Sequence, residues 1–189
     1  MFVLVVAVVA LALGAGCGDD VDPDQAVQEG IAQQQAGNLD EAATLFEQVL
    51  EVRPGDKLAN YNLGVIEQNG GRPALAEGYY RAAIDTDPRF TPALFNLAIL
   101  RNAAGATQEA IDLYLRVIDV RPDYAAAHFN LGLLYSGAGR EQLAEASINH
   151  ALELDPSLAE RLGQGEPTDG NSAVPPADDS TDASPSAEG

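Results

Sequence analysis

Apolar residues in the central part of the chain recur at helical spacing, in pairs of runs that repeat about every 34 residues. Residues 91–124 show the pattern, with a first run at Leu94, Leu97 and Ala98 and a second run at Ala110, Ile111, Tyr114, Val117 and Ile118. Intervals of three and four residues place these side chains on one face of a helix. The pattern therefore predicts a helix, a turn and a second helix in each unit.

Several columns, meaning sets of equivalent positions in successive units, hold similar residues at a constant interval. They are Pro54, Pro88, Pro122 and Pro156; Gly37, Gly71, Gly105 and Gly139; Ala42, Ala76, Ala110 and Ala144; and Phe46, Tyr80, Tyr114 and Ile148. Proline ends the second helix because it lacks an N–H donor, and glycine closes the first because it adopts the left-handed conformation. Alanine lets the two helices approach closely, and the bulky residue fills the space beside it. The units are therefore 23–56, 57–90, 91–124 and 125–158.

Polar residues beside the prolines are candidate N-caps, whose side chains accept hydrogen bonds from the first N–H groups of a helix. The candidates are Thr91, Asp123 and Ser157. We therefore expect the chain to restart a helix at these positions after each proline.

The spacing of the columns resembles that of the tetratricopeptide repeat (TPR) family. The matching residues are Leu63, Gly64, Ala76, Tyr80, Ala83 and Pro88 in one unit, and Leu131, Gly132, Tyr135, Ala144, Ala151 and Pro156 in another. The resemblance covers residues 23–158. It implies an all-α fold, an α-solenoid of four helix-turn-helix TPR units in a right-handed superhelix, to which the composition of the chain ends adds disordered termini. It also implies a concave groove lined by the first helix of each unit.

Aromatic and asparagine columns on the first helices are the candidate peptide-binding groove. Together with residues four and seven positions after the aromatic on the same helix face, the candidates are Tyr61, Asn62, Val65, Gln68, Phe95, Asn96, Ile99, Asn102, Phe129, Asn130 and Leu133. An asparagine amide offers a donor and an acceptor to an extended backbone, and an aromatic ring supplies contact area. We expect this stripe to be exposed, opposite the packing face. The alternative is that the asparagines only satisfy local polar groups.

Some TPR domains bind the C-terminal carboxylate of a chaperone through lysine and arginine residues in the groove. This chain lacks those residues. The corresponding positions hold Val27, Ile31, Leu58 and Pro92. Acidic residues outnumber basic ones in the repeats, so a neutral or basic ligand is favoured over an acidic one. The predicted partner is an extended neutral or basic segment of a protein or peptide.

The N-terminal residues predict export and a lipid anchor. Residues 2–13 are almost entirely Val, Ala and Leu, and an apolar run of this length followed by small residues is typical of a signal peptide. Ala15, Gly16 and Cys17 resemble a bacterial lipobox, which implies cleavage after residue 16 and acylation of Cys17. Residues 17–22 form an acidic spacer. The alternative is an uncleaved, single-pass membrane anchor.

The C-terminal residues predict a short cap turn and a disordered acidic tail over 159–189, because Pro, Gly, Ser and acidic residues cannot bury enough apolar area to fold. A cap this short leaves Leu143, Ile148 and Leu152 poorly covered. We therefore expect the C-terminal repeat to be a second contact surface, for a partner or for self-association.

The composition excludes several classes of protein. With 29 acidic and 10 basic residues, the chain has a net charge of −19, which disfavours nucleic acid as a partner. A single cysteine excludes an internal disulfide and a cysteine-type zinc site. We find no catalytic residues, metal ligands or cofactor site, and we interpret His128 as a packing residue.

These observations together predict a non-enzymatic adaptor or assembly factor, lipid-anchored in a bacterial cell envelope. If the cell is Gram-negative, Gly18 after Cys17 favours the outer membrane, facing the periplasm. Two alternatives remain open. The first alternative is a membrane-integral TPR subunit of a larger envelope complex. The second is an accessory subunit of an envelope enzyme.

Overall fold

A computed structural model describes residues 22–160 of the 189-residue chain. Within this range the chain forms eight α-helices, and residues 158–160 begin one further helical turn. The helices are α1 (Pro23–Gln35), α2 (Leu39–Val52), α3 (Lys57–Asn69), α4 (Pro73–Thr86), α5 (Thr91–Ala103), α6 (Thr107–Val120), α7 (Ala125–Gly137) and α8 (Glu141–Leu154). The predicted signal peptide, Cys17 and most of the acidic tail lie outside the described residues.

The helices pack as successive pairs. The two helices of each pair make the most extensive contacts, and the second helix of each pair packs against the first helix of the next. The described residues contain no strand. The predicted all-α fold, a right-handed α-solenoid of four helix pairs, is confirmed. We call α1, α3, α5 and α7 the inner helices and α2, α4, α6 and α8 the outer helices.

No helix in the range 22–160 is both long enough and apolar enough to span a membrane.

Glycine closes the inner helix of every pair, as predicted. Gly37, Gly71, Gly105 and Gly139 have φ angles of 84°, 70°, 77° and 70°. The residue after each glycine donates its N–H to the carbonyl five residues back, as in the 2.9 Å bond from Arg72 N to Glu67 O. This pattern is a Schellman motif, which satisfies the last carbonyl groups of the helix and reverses the chain.

The predicted N-caps of the two later inner helices are wrong. The carboxylates of Asp22 and Asp56 cap α1 and α3, but α5 and α7 begin after Phe90 and Tyr124, neither of which makes a side-chain cap bond. Thr91 lies inside α5. The two aromatic residues replace a cap with packing, as described below.

Small residues bring the helices of each pair together. The alanine column is fully or almost fully buried, with Ala76 and Ala110 at 0% exposure. Glycine on the inner helix plays the same role, because a Cβ atom added to Gly64 would lie 2.5 Å from Cε1 of Tyr80. The Tyr80 ring therefore packs directly against the backbone of α3.

The C-terminal end is covered only in part. Leu158 is 4% exposed and packs against Phe129 and Ala151, so the turn at 158–160 closes one side of the last pair. On α8, Leu143 and Leu154 remain 49% and 38% exposed. Contact of this end with a partner or with a second copy stays a prediction.

Candidate functional site

The aromatic and asparagine columns are mostly buried, so the predicted exposed stripe is wrong over α5 and α7. Phe95 is 4% exposed, Asn96 6%, Phe129 1% and Asn130 6%. Tyr61 and Asn62 on α3 remain partly accessible. The helical periodicity identified the correct face of each helix, but it did not show what covers that face.

The covering residue is the last one of the same repeat. Phe90 meets Tyr61 edge to face with ring centroids 5.5 Å apart, and Tyr124 lies 5.1 Å from Phe95. Leu158 takes the equivalent place over Phe129. This column was missed in the sequence, although it recurs there at the same interval as the others.

The buried asparagines bond to tyrosine hydroxyl groups of the preceding repeat. Asn130 Nδ2 donates to Tyr114 Oη at 3.1 Å, and Asn96 Nδ2 donates to Tyr80 Oη at 3.4 Å. These bonds join α7 to α6 and α5 to α4. The alternative interpretation of these two asparagines, that they satisfy local polar groups, is therefore the one that the structure supports.

Asn62 shows what happens when the hydroxyl group is missing. The preceding repeat has Phe46 in place of tyrosine, and Asn62 Nδ2 donates instead to the Leu58 carbonyl of its own helix at 2.8 Å. The amide of Asn62 lies nearer the surface than those of Asn96 and Asn130.

Burial raises the pKa values of the tyrosines in this cluster. Burial, with a smaller contribution from Tyr124, raises the pKa of Tyr61 to about 12. Burial also raises the pKa of Tyr80. It raises the pKa of Tyr114 as well, and this effect is larger than the opposing effect of the hydrogen bond from Asn130. The hydroxyl groups are therefore protonated at neutral pH. Tyr80 can accept from Asn96 while it donates to Gln68 Oε1 at 2.9 Å.

Two rows of side chains remain accessible on the C-terminal halves of the inner helices. We call the partly exposed column Ile31, Val65, Ile99 and Leu133 the aliphatic ladder. We call the column Gln34, Gln68, Asn102 and Ser136, three residues further along, the polar row; Asn102 and Ser136 are exposed. Five predicted groove residues belong to these rows. Ile31 and Gln34 extend them into the first repeat and were missed as site residues.

The outer surface holds a cleft of about 280 Å³ between α4 and α6. Beside the cleft, Arg81 contacts Glu109 at 2.6 Å and Glu77 at 3.0 Å, while Arg101 bonds to the same two carboxylates. The Arg81 bond, assisted by Arg101, holds the pKa of Glu109 below its usual range. This network ties the second repeat to the third.

The two histidines contact each other. His128 Nε2 lies 2.9 Å from the Pro122 carbonyl oxygen, and its ring meets that of His150 edge to face at 4.6 Å. Between residues 22 and 160, no group of three or more His, Cys, Asp or Glu side chains is placed to hold a metal ion.

Profiles of the tetratricopeptide repeat family match almost the whole of the described range. They cover residues 27–89, 67–119, 100–139 and 125–158. The chain belongs to the tetratricopeptide repeat family. TPR repeats are in general protein–protein interaction modules without catalytic activity. No curated protein matches the sequence.

Solved structures of other TPR proteins share the fold. A crystal structure of MamA superposes with a TM-score of 0.67 at 21% identity, covering 75% of this chain and 83% of that one. MamA from Desulfovibrio magneticus RS-1 gives 0.63 at 24% identity, covering 72% and 77%. PilF from Pseudomonas aeruginosa gives 0.63 at 23% identity, covering 79% and 78%. The two rows on the inner helices are the candidate contact surface of this fold.

Proposed function

We propose that this TPR protein is a non-enzymatic adaptor or assembly factor, held in a bacterial cell envelope by a lipid on Cys17. Its inner groove binds an extended neutral or basic segment of a partner protein. The observation that carries the proposal is the pair of accessible rows, which offers apolar contacts beside hydrogen-bonding groups along all four repeats. MamA and PilF, which share the fold, support the general class of protein.

Nine of the eleven predicted groove residues divide into two roles, and Tyr61 and Asn62 lie between them, partly accessible. Phe95, Asn96, Phe129 and Asn130 form the wall of the groove, and the two asparagines join it to the preceding repeat. Val65, Gln68, Ile99, Asn102 and Leu133 are the contact residues. A partner therefore binds along the C-terminal halves of the inner helices.

The groove proposal is tested by photocrosslinking in membranes of the source organism. A benzophenone amino acid replaces Asn102 in the groove, and a second variant carries it at Leu115, which is 45% exposed on outer helix α6. We expect a discrete adduct from position 102 that is absent at position 115. Adducts from position 115 alone would place the partner on the outer surface and refute the proposal.

The lipid anchor is tested by the intact mass of the protein isolated from membranes. We expect loss of residues 1–16 and added acyl mass on Cys17. A protein that retains an unmodified Met1 would refute the lipoprotein and support the uncleaved anchor. Co-purification of an envelope enzyme whose activity depends on this chain would instead support the accessory-subunit alternative.

A further inference from the structure

The inner helices carry almost no charge on their accessible face, in a protein whose net charge is −19. The aliphatic ladder, the polar row and the columns of the aromatic and asparagine residues contain no Asp, Glu, Lys or Arg in any of the four repeats. Helix α7 has no charged residue at all. These four columns therefore offer no fixed ion to a charged ligand, and Asp24, at the start of α1, is already paired with Arg53.

The acidic residues are concentrated on the outer helices. Examples are Asp40, Glu41, Glu47 and Glu51 on α2, Glu109, Asp112 and Asp119 on α6, and Glu141, Glu145 and Glu153 on α8. A basic segment gains more Coulomb energy on this outer surface than in the groove. An acidic segment is repelled from the outer surface and finds no cation in the groove.

We propose that the groove selects an uncharged partner segment, with aliphatic side chains that contact the ladder and a backbone that bonds to the polar row. This inference rests on the proposed function and narrows its ligand from neutral or basic to neutral and apolar. Val65 and Ile99 are partly exposed but rest on the main apolar cluster, so they present a firm surface for aliphatic groups. Contact there removes apolar area from water on both sides.

The polar row is suited to an uncharged backbone. Gln68 Oε1 is occupied by the Tyr80 hydroxyl, which fixes the side chain and leaves the amide Nε2 as a donor. The side chains of Asn102 and Ser136 are exposed and make no hydrogen bond within the described residues. A carbonyl group of the partner can accept from any of them without bringing charge into the groove.

The test uses the full chain and three series of fluorescent 15-residue peptides, read by anisotropy. All series share one pattern of Leu, Val and Ile, and the intervening residues are Ser in the first series, Lys in the second and Glu in the third. We expect the Ser series to bind best at the groove, with a Kd that changes less than twofold between 50 and 500 mM NaCl. Binding through charged pairs would weaken as salt screens them.

Three variants show where the peptide binds. Ile99→Ser removes a ladder contact and is expected to weaken the Ser series roughly tenfold, the scale of one buried aliphatic side chain. Asn102→Ala, which leaves the core intact, is expected to weaken it about threefold through one lost hydrogen bond. Leu115→Ser changes an exposed aliphatic residue of α6 and is the matched control, with no expected effect.

The possible failures are distinguishable. If the Lys or Glu series binds more tightly, loses affinity with salt and is weakened by Ile99→Ser, the groove binds peptides but the inference of an uncharged ligand is wrong. If no peptide series binds at the groove while the benzophenone residue at position 102 still crosslinks to a partner, the inference fails and the proposed function stands. If neither peptides nor a partner contact the groove, both fail.

Discussion

Replacing Phe95 with alanine is expected to destabilise the protein by about 3–5 kcal/mol, because the ring is buried and packs against two tyrosines of its own repeat. It lies 5.5 Å from Tyr114 and 5.1 Å from Tyr124, measured between ring centroids. The cavity would open in the middle of the array, on the most deeply buried helix. The free energy of unfolding, measured in urea, gives the size of the loss.

The matched control is Asn102→Ala, at the exposed end of the same helix, which is expected to change the free energy of unfolding by no more than about 0.5 kcal/mol. A loss below about 1 kcal/mol for Phe95→Ala would contradict the burial of the ring. Because Phe95 supports the fold, its substitution cannot serve as a test of ligand binding.

Replacing Gly64 with alanine is expected to cost about 1–3 kcal/mol, although alanine favours a helix more than glycine does. The new methyl group would lie 2.5 Å from Cε1 and 2.6 Å from Cδ1 of Tyr80. The ring is fully buried, and its hydroxyl group bonds to Gln68 and Asn96, so it has little room to move. Thermal and urea denaturation of the variant measure this cost.

Gly78→Ala provides the comparison on the neighbouring helix α4. Gly78 is exposed and has no atom within 4 Å of an added Cβ, so the change is expected to stabilise the protein by about 0.5–1 kcal/mol. The two glycine variants should therefore shift stability in opposite directions. Equal effects would mean that α3 and α4 are further apart than the structure shows.

The fold was predictable because its main determinants are local and repeated. Each glycine that adopts positive φ, each buried alanine and each proline that follows an outer helix recurs at the same place in every repeat. The N-caps were not predictable from residue type alone. At Phe90 and Tyr124, aromatic packing takes the place of a side-chain cap. This packing depends on Tyr61 and Phe95, which lie near the other end of the same repeat.

The candidate site was predicted only in part. The correct helix face follows from periodicity, but exposure depends on what other segments place over it. Two signals were present in the sequence: the column that contains Phe90, Tyr124 and Leu158, and the interval from Tyr80 to Asn96, which recurs unchanged from Tyr114 to Asn130. Both become interpretable only once the contacts between the helices are known.

The residue that packs over each inner aromatic residue, its cover, has a consequence for the gain or loss of repeats by gene duplication. Phe90 covers Tyr61, Tyr124 covers Phe95 and Leu158 covers Phe129, so in the last three repeats the cover and the residue beneath it belong to one block of sequence. Duplication of one of these three blocks therefore supplies its own cover. It also supplies a hydroxyl partner for the asparagine of the next block where its outer helix carries Tyr80 or Tyr114. Gene rearrangement in units of one whole block would therefore lengthen or shorten the groove without exposing its wall.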